Sequence, residues 1–411
     1  MDLELRPTSA EEFAEFDRVC SAAFGEIPSP EATELDRRLV ELDRTLAAVV
    51  DGAIVGTALT HGFGLTLPGG LTVPAAGVAD VGVLGTHRRR GILRAMMARL
   101  LDDAAARGEA VAILMASEPT IYGRFGFGPA SEAERVSVAA DHPRFAHLPP
   151  ARSLRLVPRE LAAPLVAPVY EAVRATRPGW LTRTDAWWEA ILGEVRTWKG
   201  GGPAWVAVAE PEDPAGGGPV GYVVYERVSV GEGHPGRVEV RELVAVDDGT
   251  EAALWRYCLE LDLVGEVVAA CPPDDPLRWW LADPRQVRVL HRRDGLWVRL
   301  LDVAAALSAR RYRHDGTLVV EVHDPFRPAT SGRYHLRVDG GEAVCERLAD
   351  DRGVDPDLRL GVAELGSLYL GGVAASTLAR ARRLEEVRSG AVATADALFG
   401  WDRLPFCPTR F

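Results

Sequence analysis

The chain has 411 residues, 47% of them hydrophobic and 26% charged, with a formal net charge of −12. That length exceeds what one core organises, so two or three domains are expected. The composition excludes a disordered polypeptide, and no apolar run approaches the roughly 20 residues of a membrane-spanning helix. The negative charge excludes a general nucleic-acid binder, because affinity for phosphate backbones comes from accumulated positive charge. The N-terminal MDLELRPTSAEEF carries no basic-then-apolar leader, which predicts a cytoplasmic protein. Cys20, Cys258, Cys271, Cys345 and Cys407 lack paired C-x-x-C spacing, so neither a zinc site nor a disulfide framework is expected, and no metal is assigned.

In chain order, TLAAVVDGAIVGTALTHGFGLTLPGGLTVPAAGVADVGVL reads as successive strands separated by turns at Asp51-Gly52 and Gly69-Gly70. From Ile92 to Arg107, Leu93, Met96, Met97, Leu100 and Leu101 recur at helical spacing, and Gly108 supplies a C-cap. AVAILMAS then has the continuous apolar character of a strand buried on both faces. The Pro-Pro pair in AHLPPAR marks a domain boundary. Beyond it, RVEVRELVAVDDGTEAALWRYCLELDL repeats the order strand, turn, helix and leads into the strand GEVVAAC. Past Pro284 the strand GTLVVEVHD, a hairpin at Asp339-Gly340-Gly341, and helices near Val362 to Leu370 and Ala391 to Phe399 predict an α+β unit. The expected domains are therefore 1–149, 150–284 and 285–411. GEGHPG (231–236) matches a dinucleotide fingerprint by letters only, because it precedes a strand instead of joining strand to helix, and it reads as a turn. Trp187-Trp188 and Trp279-Trp280 are expected to fill cores or inter-domain contacts. His61 and His87, each without a partner at metal spacing, read as structural or solvated.

The chemistry concentrates in VADVGVLGTHRRRGILRAMMARLL. A strand ends at Val81-Gly82-Val83, a short turn follows, and Arg88 to Leu93 are expected to open a helix. The first N–H groups of a helix have no internal partners and carry partial positive charge, so a pyrophosphate can sit there. Gly91 would let the backbone approach, and Arg88, Arg89 and Arg90 would add charge-assisted contacts. Cations at a helix start oppose the dipole, and an incoming anion explains them. In the second copy Asp247-Asp248-Gly249 stands at this place, where carboxylates repel a phosphate, so that site is predicted to be dead.

Arg88-Arg89-Arg90-Gly91-Ile92-Leu93 resembles the acetyl-CoA motif of the GCN5-related N-acetyltransferases, Leu93 departing from its usual small last residue. VADVGV is similar to the strand that pairs with the pantetheine arm, AVAILMAS to its splayed neighbour, and SEPTIYGRFGFGPAS to the family's tyrosine-bearing helix. Over the whole length, two such units followed by a sterol-carrier-like unit containing DLRLGVAELGSLYLGG resemble the Eis (enhanced intracellular survival) family. The resemblance implies an α/β (α+β) fold of two tandem GNAT-like domains, the second degenerate, and a sterol-carrier-protein-like α+β domain. It implies acetyl-CoA as co-substrate, held by Val81, Gly82, Val83, Arg89, Arg90, Gly91, Ile92, Leu93, Arg94, Ser117 and Glu118. It implies an amine acceptor, aminoglycoside-like or lysine-like, attacked directly in a ternary complex. Tyr122 would be the general acid, the α-carboxylate of Phe411 the base, and the assembly a homohexamer. The apolar tail LPFCPTRF suits docking better than fraying. Phe24 and Glu26, in an early segment, are candidates for the acceptor mouth. The alternative reading is a non-catalytic lipid carrier that uses the acetyltransferase-like domains as scaffold.

Overall fold

The computed structural model describes residues 2–140, 143–193, 204–213, 217–231, 235–349 and 353–411. Two compact units emerge: Met1–Ser131 with Arg177–Leu181 and Asp294–Phe411, and Glu132–Thr176 with Thr182–Arg293. In chain order the first stretch holds β1 (Leu3–Arg6), α1 (Phe13–Phe24), α2 (Pro30–Leu39), β2 (Thr45–Val50), β3 (Ala53–Thr66), β4 (Thr72–Val83), α3 (Ile92–Ala106), β5 (Val111–Met115), α4 (Pro119–Tyr122) and β6 (Gly128–Pro129). The second unit holds β7 (Glu132–Ala139), β8 (Leu154–Val157), α5 (Ala163–Arg174), α6 (Asp185–Leu192), β9 (Ala204–Ala209), β10 (Gly221–Val228), β11 (Gly236–Ala245), α7 (Asp248–Leu259), β12 (Val264–Cys271), α8 (Leu277–Trp280) and β13 (Val287–Asp294). The chain then returns to the first unit with β14 (Leu296–Leu300), α9 (Val303–Ala309), β15 (Gly316–His323), β16 (Gly332–Asp339), β17 (Glu342–Arg347), β18 (Leu358–Gly361), α10 (Val362–Tyr369), α11 (Ala375–Arg380), β19 (Leu384–Glu386) and α12 (Ala391–Phe399).

Strand pairing does not follow contiguous blocks of sequence. The first unit contains a sheet in the order β1-β2-β3-β4-β5-β14-β6, so a strand from near residue 300 is inserted beside β5. The second unit's sheet, β13-β7-β12-β11-β10-β9-β8, starts at Glu132, ahead of Pro149-Pro150. A further sheet, β17-β16-β15-β18-β19, lies in the first unit. Each sheet of seven strands has an antiparallel beginning and one parallel pair, β4 with β5 and β11 with β12. The repeated order read from the sequence is therefore a repeated sheet.

Local chemistry explains the elements that frame the site. Asp51 and Gly52 close the β2–β3 hairpin with φ of 51° and 79°, the double left-handed pattern of a two-residue turn that matches strand twist. Met96, Met97, Leu100 and Leu101 of α3 are buried with Ala76, Val78, Ala112 and Leu114 in a core on one face of the first sheet. On the other face Phe13, Phe16 and Val19 of α1 pack on Ala47, Val49, Leu59 and Ala79.

Three expectations need correction or lie elsewhere. The helix after the arginines begins at Ile92, with Gly91 as N-cap at φ 83°, and Arg89 is itself left-handed at φ 63°. Arg88 to Arg90 thus lie in the turn before the helix, because two left-handed residues cannot belong to its first turn. Trp187 and Trp188 are buried, but Trp279 is 73% exposed. In the single turn of α8, adjacent residues point in different directions, and only one of the pair can face a core. Glu232 to His234 of the GEGHPG segment lie outside the described residues. Among the described residues no helix is long and apolar enough to cross a membrane.

Candidate active site

β4 and β5 are hydrogen-bonded as parallel neighbours only from Ala75 to Gly77, opposite Val111 to Ile113. Past Gly77 they diverge, and the edge of Val78 to Val83 that faces β5 is left outside the ladder. On its other edge β4 stays paired to β3 but carries a bulge: Leu59 opposes Ala79 and Thr57 opposes Gly82, so Asp80 and Val81 face one residue. Asp80 takes φ 53°, and Thr57 Oγ1 donates to its carbonyl at 2.9 Å. The result is a wedge whose β4 wall offers backbone groups of Val81, Gly82 and Val83.

The mouth of the wedge leads to α3. Leu84 N–H is tied to Val55 O at 2.9 Å, a 3₁₀ turn spans Gly85–His87, and the exposed Arg88, Arg89 and Arg90 follow. Gly91 caps the helix without a side-chain acceptor, and no acidic residue lies in the first turn. The amides of Ile92, Leu93 and Arg94 therefore have no intrahelical acceptor. Arg90 Nη2 donates to Thr86 O at 3.2 Å, holding the turn, and His87 Nδ1 is 2.9 Å from Thr86 Oγ1. Arg94 departs from the expected arrangement, since its guanidinium lies 5.0 Å from the ring centre of Phe326.

β5 runs out at Met115 toward exposed Ser117 and Glu118, and α4 follows at once with Tyr122 as its last residue. Tyr122 is buried in the α3-side core, edge-on to Phe127 at 6.5 Å. Burial pushes its phenol above the ordinary value, a hydrogen bond with Ser117 pulls it down, and the Glu118 charge pushes it up again. It is therefore a protonated donor at neutral pH. The turn behind it is pinned by Arg299 of β14, fully buried, which donates to Phe125 O and pairs with the equally buried Asp324.

The α1–α2 face holds groups that the sequence reading did not single out. Asp17 on α1, Asp36 on α2 and Asp80 on the bulge act on one another's charges, and among the described residues none of the three forms a salt bridge. Burial and the charges of Asp80 and Asp17 push the Asp36 carboxyl up to about 8. Surrounding protein atoms and Asp17 push Asp80, which water still reaches, up to about 6. Thr33 Oγ1 donates to Asp17. Phe24 is 48% exposed at the end of α1, and the exposed Glu26 follows, its amide bonded to Ser21 O at 2.8 Å. A signal existed for two of these carboxylates. Asp17 interrupts the apolar stripe Phe13, Phe16, Cys20, and Asp80 interrupts an apolar strand.

The C-terminal tail reaches the same face. The Phe411 ring lies 4.9 Å from Phe63 and 6.4 Å from His61, both on β3, and packs against the cluster that includes Ala79. A β-carbon on Gly77, the last residue before the strands part, would come within 3.1 Å of that ring. Thr409 is fully buried. His61 is held neutral, its imidazole lowered to about 4 by burial, with a backbone bond to Leu39 pulling it up and the charge of Arg44 pushing it further down.

In the second unit the corresponding positions are filled by the protein's own groups. Asp247 caps α7, accepting from Thr250 N–H at 2.8 Å and Thr250 Oγ1 at 2.8 Å. A carboxylate thus takes the place an external anion would need, and Arg152 attends it at 3.7 Å. Next to the β11 bulge, Glu242 is engaged at 3.0 Å by the buried Arg183, whose guanidinium lies 3.8 Å from the Tyr170 ring centre and 4.8 Å from that of Trp188.

Residues 4–130 and 179–310 match two family models, each described as an acetyltransferase (GNAT) domain, and residues 303–408 match a sterol carrier protein domain. An uncharacterized N-acetyltransferase of Streptomyces coelicolor is 41% identical over the whole of both chains. The N-acetyltransferase Eis of Mycobacterium tuberculosis is 38% identical over 93% of each. The crystal structure of Eis1 from Mycobacterium abscessus superposes with a TM-score of 0.85 at 34% identity, covering 99% of this chain and 100% of that one. With its two GNAT domains and sterol-carrier domain, the chain belongs to the Eis family of GCN5-related N-acetyltransferases and is an acetyltransferase enzyme.

Proposed function

We propose that this enzyme transfers the acetyl group of acetyl-CoA to a cationic primary amine by direct attack in a ternary complex. The observation that carries the acceptor class is the group Asp17, Asp36 and Asp80. Burial first, and then the charges of Asp80 and Asp17, raise Asp36 to about 8, and a positive charge placed among the three carboxylates would relieve that cost. The second unit illustrates the principle with Arg183 against Glu242 beside its own bulge. A net charge of −12 would favour encounter with cations.

The residues of the wedge suit the co-substrate. The free edge of Val81, Gly82 and Val83 would pair with an amide-bearing arm, and the amides from Gly91 to Arg94 with Arg89 and Arg90 would take the pyrophosphate. Ser117 and Glu118 would border it. Acetyl-CoA supplies the activated acetyl group as a thioester. The Phe411 α-carboxylate takes the proton that frees the nitrogen lone pair; the neutral amine then attacks the thioester carbonyl, the C–N bond forms as the C–S bond breaks, and the departing sulfur takes its proton from Tyr122, which regains one from the acylated nitrogen. Phe24 and Glu26 would flank the acceptor. We place the enzyme in a reducing cytoplasm, where five free thiols persist, and as a homohexamer by family resemblance. The sterol-carrier domain has an open pocket of about 760 Å³ whose lining mixes charged Glu321, Arg359 and Arg383 with apolar Val322, Leu360 and Leu384.

The test is free-thiol release from acetyl-CoA across a panel of amines, repeated with residues appended after Phe411. Turnover on cationic amines, lost on extension with acetyl-CoA binding retained, is the expected result. Normal turnover by the extended chain would refute the carboxylate as base, and no turnover or cofactor binding at all would refute the whole reading.

A further inference from the structure

Arg177–Leu181 belongs to the first compact unit although the residues on either side of it belong to the second. It is bonded to the end of β3 on one side: Gly179 N–H donates to Thr66 O at 2.9 Å, Thr66 N–H to Trp180 O at 2.9 Å, and Leu65 bridges Leu181. On the other it is bonded to the C-terminal tail. Phe406 N–H donates to Pro178 O at 3.0 Å, and Arg177 Nε donates to Leu404 O at 3.0 Å. All five residues are buried. We propose that this strap seats the C-terminal carboxylate for acetyl transfer, with Arg177 and Gly179 as positioning residues; the inference rests on the reading of Phe411 as the base.

The lengths agree. From Thr66 back to His61 along β3, and from Phe406 forward to Phe411, there are equal numbers of residue steps, each about 3.3 Å when extended. A tail clamped at Phe406, across the strap from Thr66, therefore delivers its last ring near His61 and Phe63, where it is found. Pro408 restricts the backbone in between, Pro405 fixes the residue just ahead of the clamp, and a Cys407 Sγ contact with Thr409 O at 3.1 Å adds a local tie. A shift at the clamp is then passed to the end instead of being absorbed.

Gly179 is the tightest point. Its φ of 92° lies in the left-handed region, and a β-carbon there would stand 2.9 Å from Phe406 O and 3.3 Å from Phe406 N. Both the conformation and the space select glycine. Gly179→Ala must therefore push Phe406 away from Pro178.

The test measures two things on Gly179→Ala, Arg177→Met and Arg177→Lys: release of Phe411 by a carboxypeptidase specific for aromatic termini, followed by mass spectrometry, and steady-state kinetics. The wild type should resist release. Gly179→Ala should release Phe411 at least about 10-fold faster and lose about 10- to 100-fold in kcat, with KM for acetyl-CoA nearly unchanged, since misplacement of a reacting group acts on the chemical step. Arg177→Met should follow in the same direction, Arg177→Lys should recover, and the Arg177 pair decides the matter if Gly179→Ala fails to fold. Unchanged release and unchanged kcat would overturn the strap. Faster release with full kcat would instead overturn the carboxylate as base, and with it the positioning role. An extended wild-type chain that turns over normally identifies that second failure independently.

Discussion

Arg299 and Asp324 join the segment behind Tyr122 to the loop that follows β15, with both side chains fully buried. In Arg299→Met the aliphatic bulk remains, but Asp324 Oδ2 loses its cation and Phe125 O loses its donor. Asp324 Oδ1 still accepts from Phe326 and Arg327 amides at 3.0 and 2.9 Å, so the carboxylate is not wholly orphaned. Breaking a buried pair from one side costs about 3–5 kcal/mol. Asp324→Asn in the same chain removes the unpaired charge while keeping the Oδ1 acceptor, and should return about 2 kcal/mol relative to Arg299→Met; with Asp324→Asn measured alone, the cycle then gives the interaction energy. Because a chain this long need not unfold in one step, local amide exchange is the better assay. Gly126 N–H and Phe127 N–H are bonded to Gly123 O at 3.1 Å and Tyr122 O at 3.3 Å, within the turn that carries the tyrosine. Their exchange should accelerate about 150- to 4000-fold in Arg299→Met, at about 1.4 kcal/mol per decade, and kcat should fall with it. Unchanged exchange in Arg299→Met, or a double variant no better protected than the single, would refute the claim that this pair holds the turn.

Further outcomes are expected. Arg89→Ala and Arg90→Ala should each raise KM for acetyl-CoA by about 10-fold, the loss of one charge-assisted contact, measured by steady-state kinetics. Asp36 and Asp80 ionise near about 8 and about 6, so KM for a cationic amine should fall as pH rises from 6 to 8, and Asp36→Asn should flatten the upper part of that profile. His61 is folded with its imidazole near about 4 against 6.5 free, so the unfolded chain takes up the proton first. Stability should therefore drop as pH falls from about 6.5 to 4, by about 3 kcal/mol in full, and His61→Phe should lose that dependence in denaturation at the two pH values. Removing the internal cap with Asp247→Ala should cost about 1 kcal/mol in thermal denaturation without creating a second acetyl-CoA site in calorimetry, because the arginines are absent there.

The elements that recur with a period were legible in the sequence: the strands around Asp51-Gly52, the helix carrying Met96 and Leu100, the buried strand AVAILMAS, and the repetition of that order beyond residue 236. So were the candidate phosphate turn and its replacement by Asp247, since backbone conformation at glycine and charge at a helix start are local properties. Long-range pairing was not. Nothing near residue 298 says that Leu296–Leu300 will lie beside β5, or that Glu132 opens the second sheet, because strand registers of this separation are fixed by which apolar faces can be covered together. The same holds for the α1–α2 face of the first sheet. Asp17, Asp36 and Asp80 are spread over 64 residues, and Phe411 lies more than 300 residues from Phe63, so their meeting depends on the packed sheet alone. The sequence determined the recurring local elements and the glycine-arginine turn ahead of α3; only the tertiary structure decided that three carboxylates, a neutral histidine and the last residue share one face of the first sheet, because charge, burial and reach become defined only when the chain is folded.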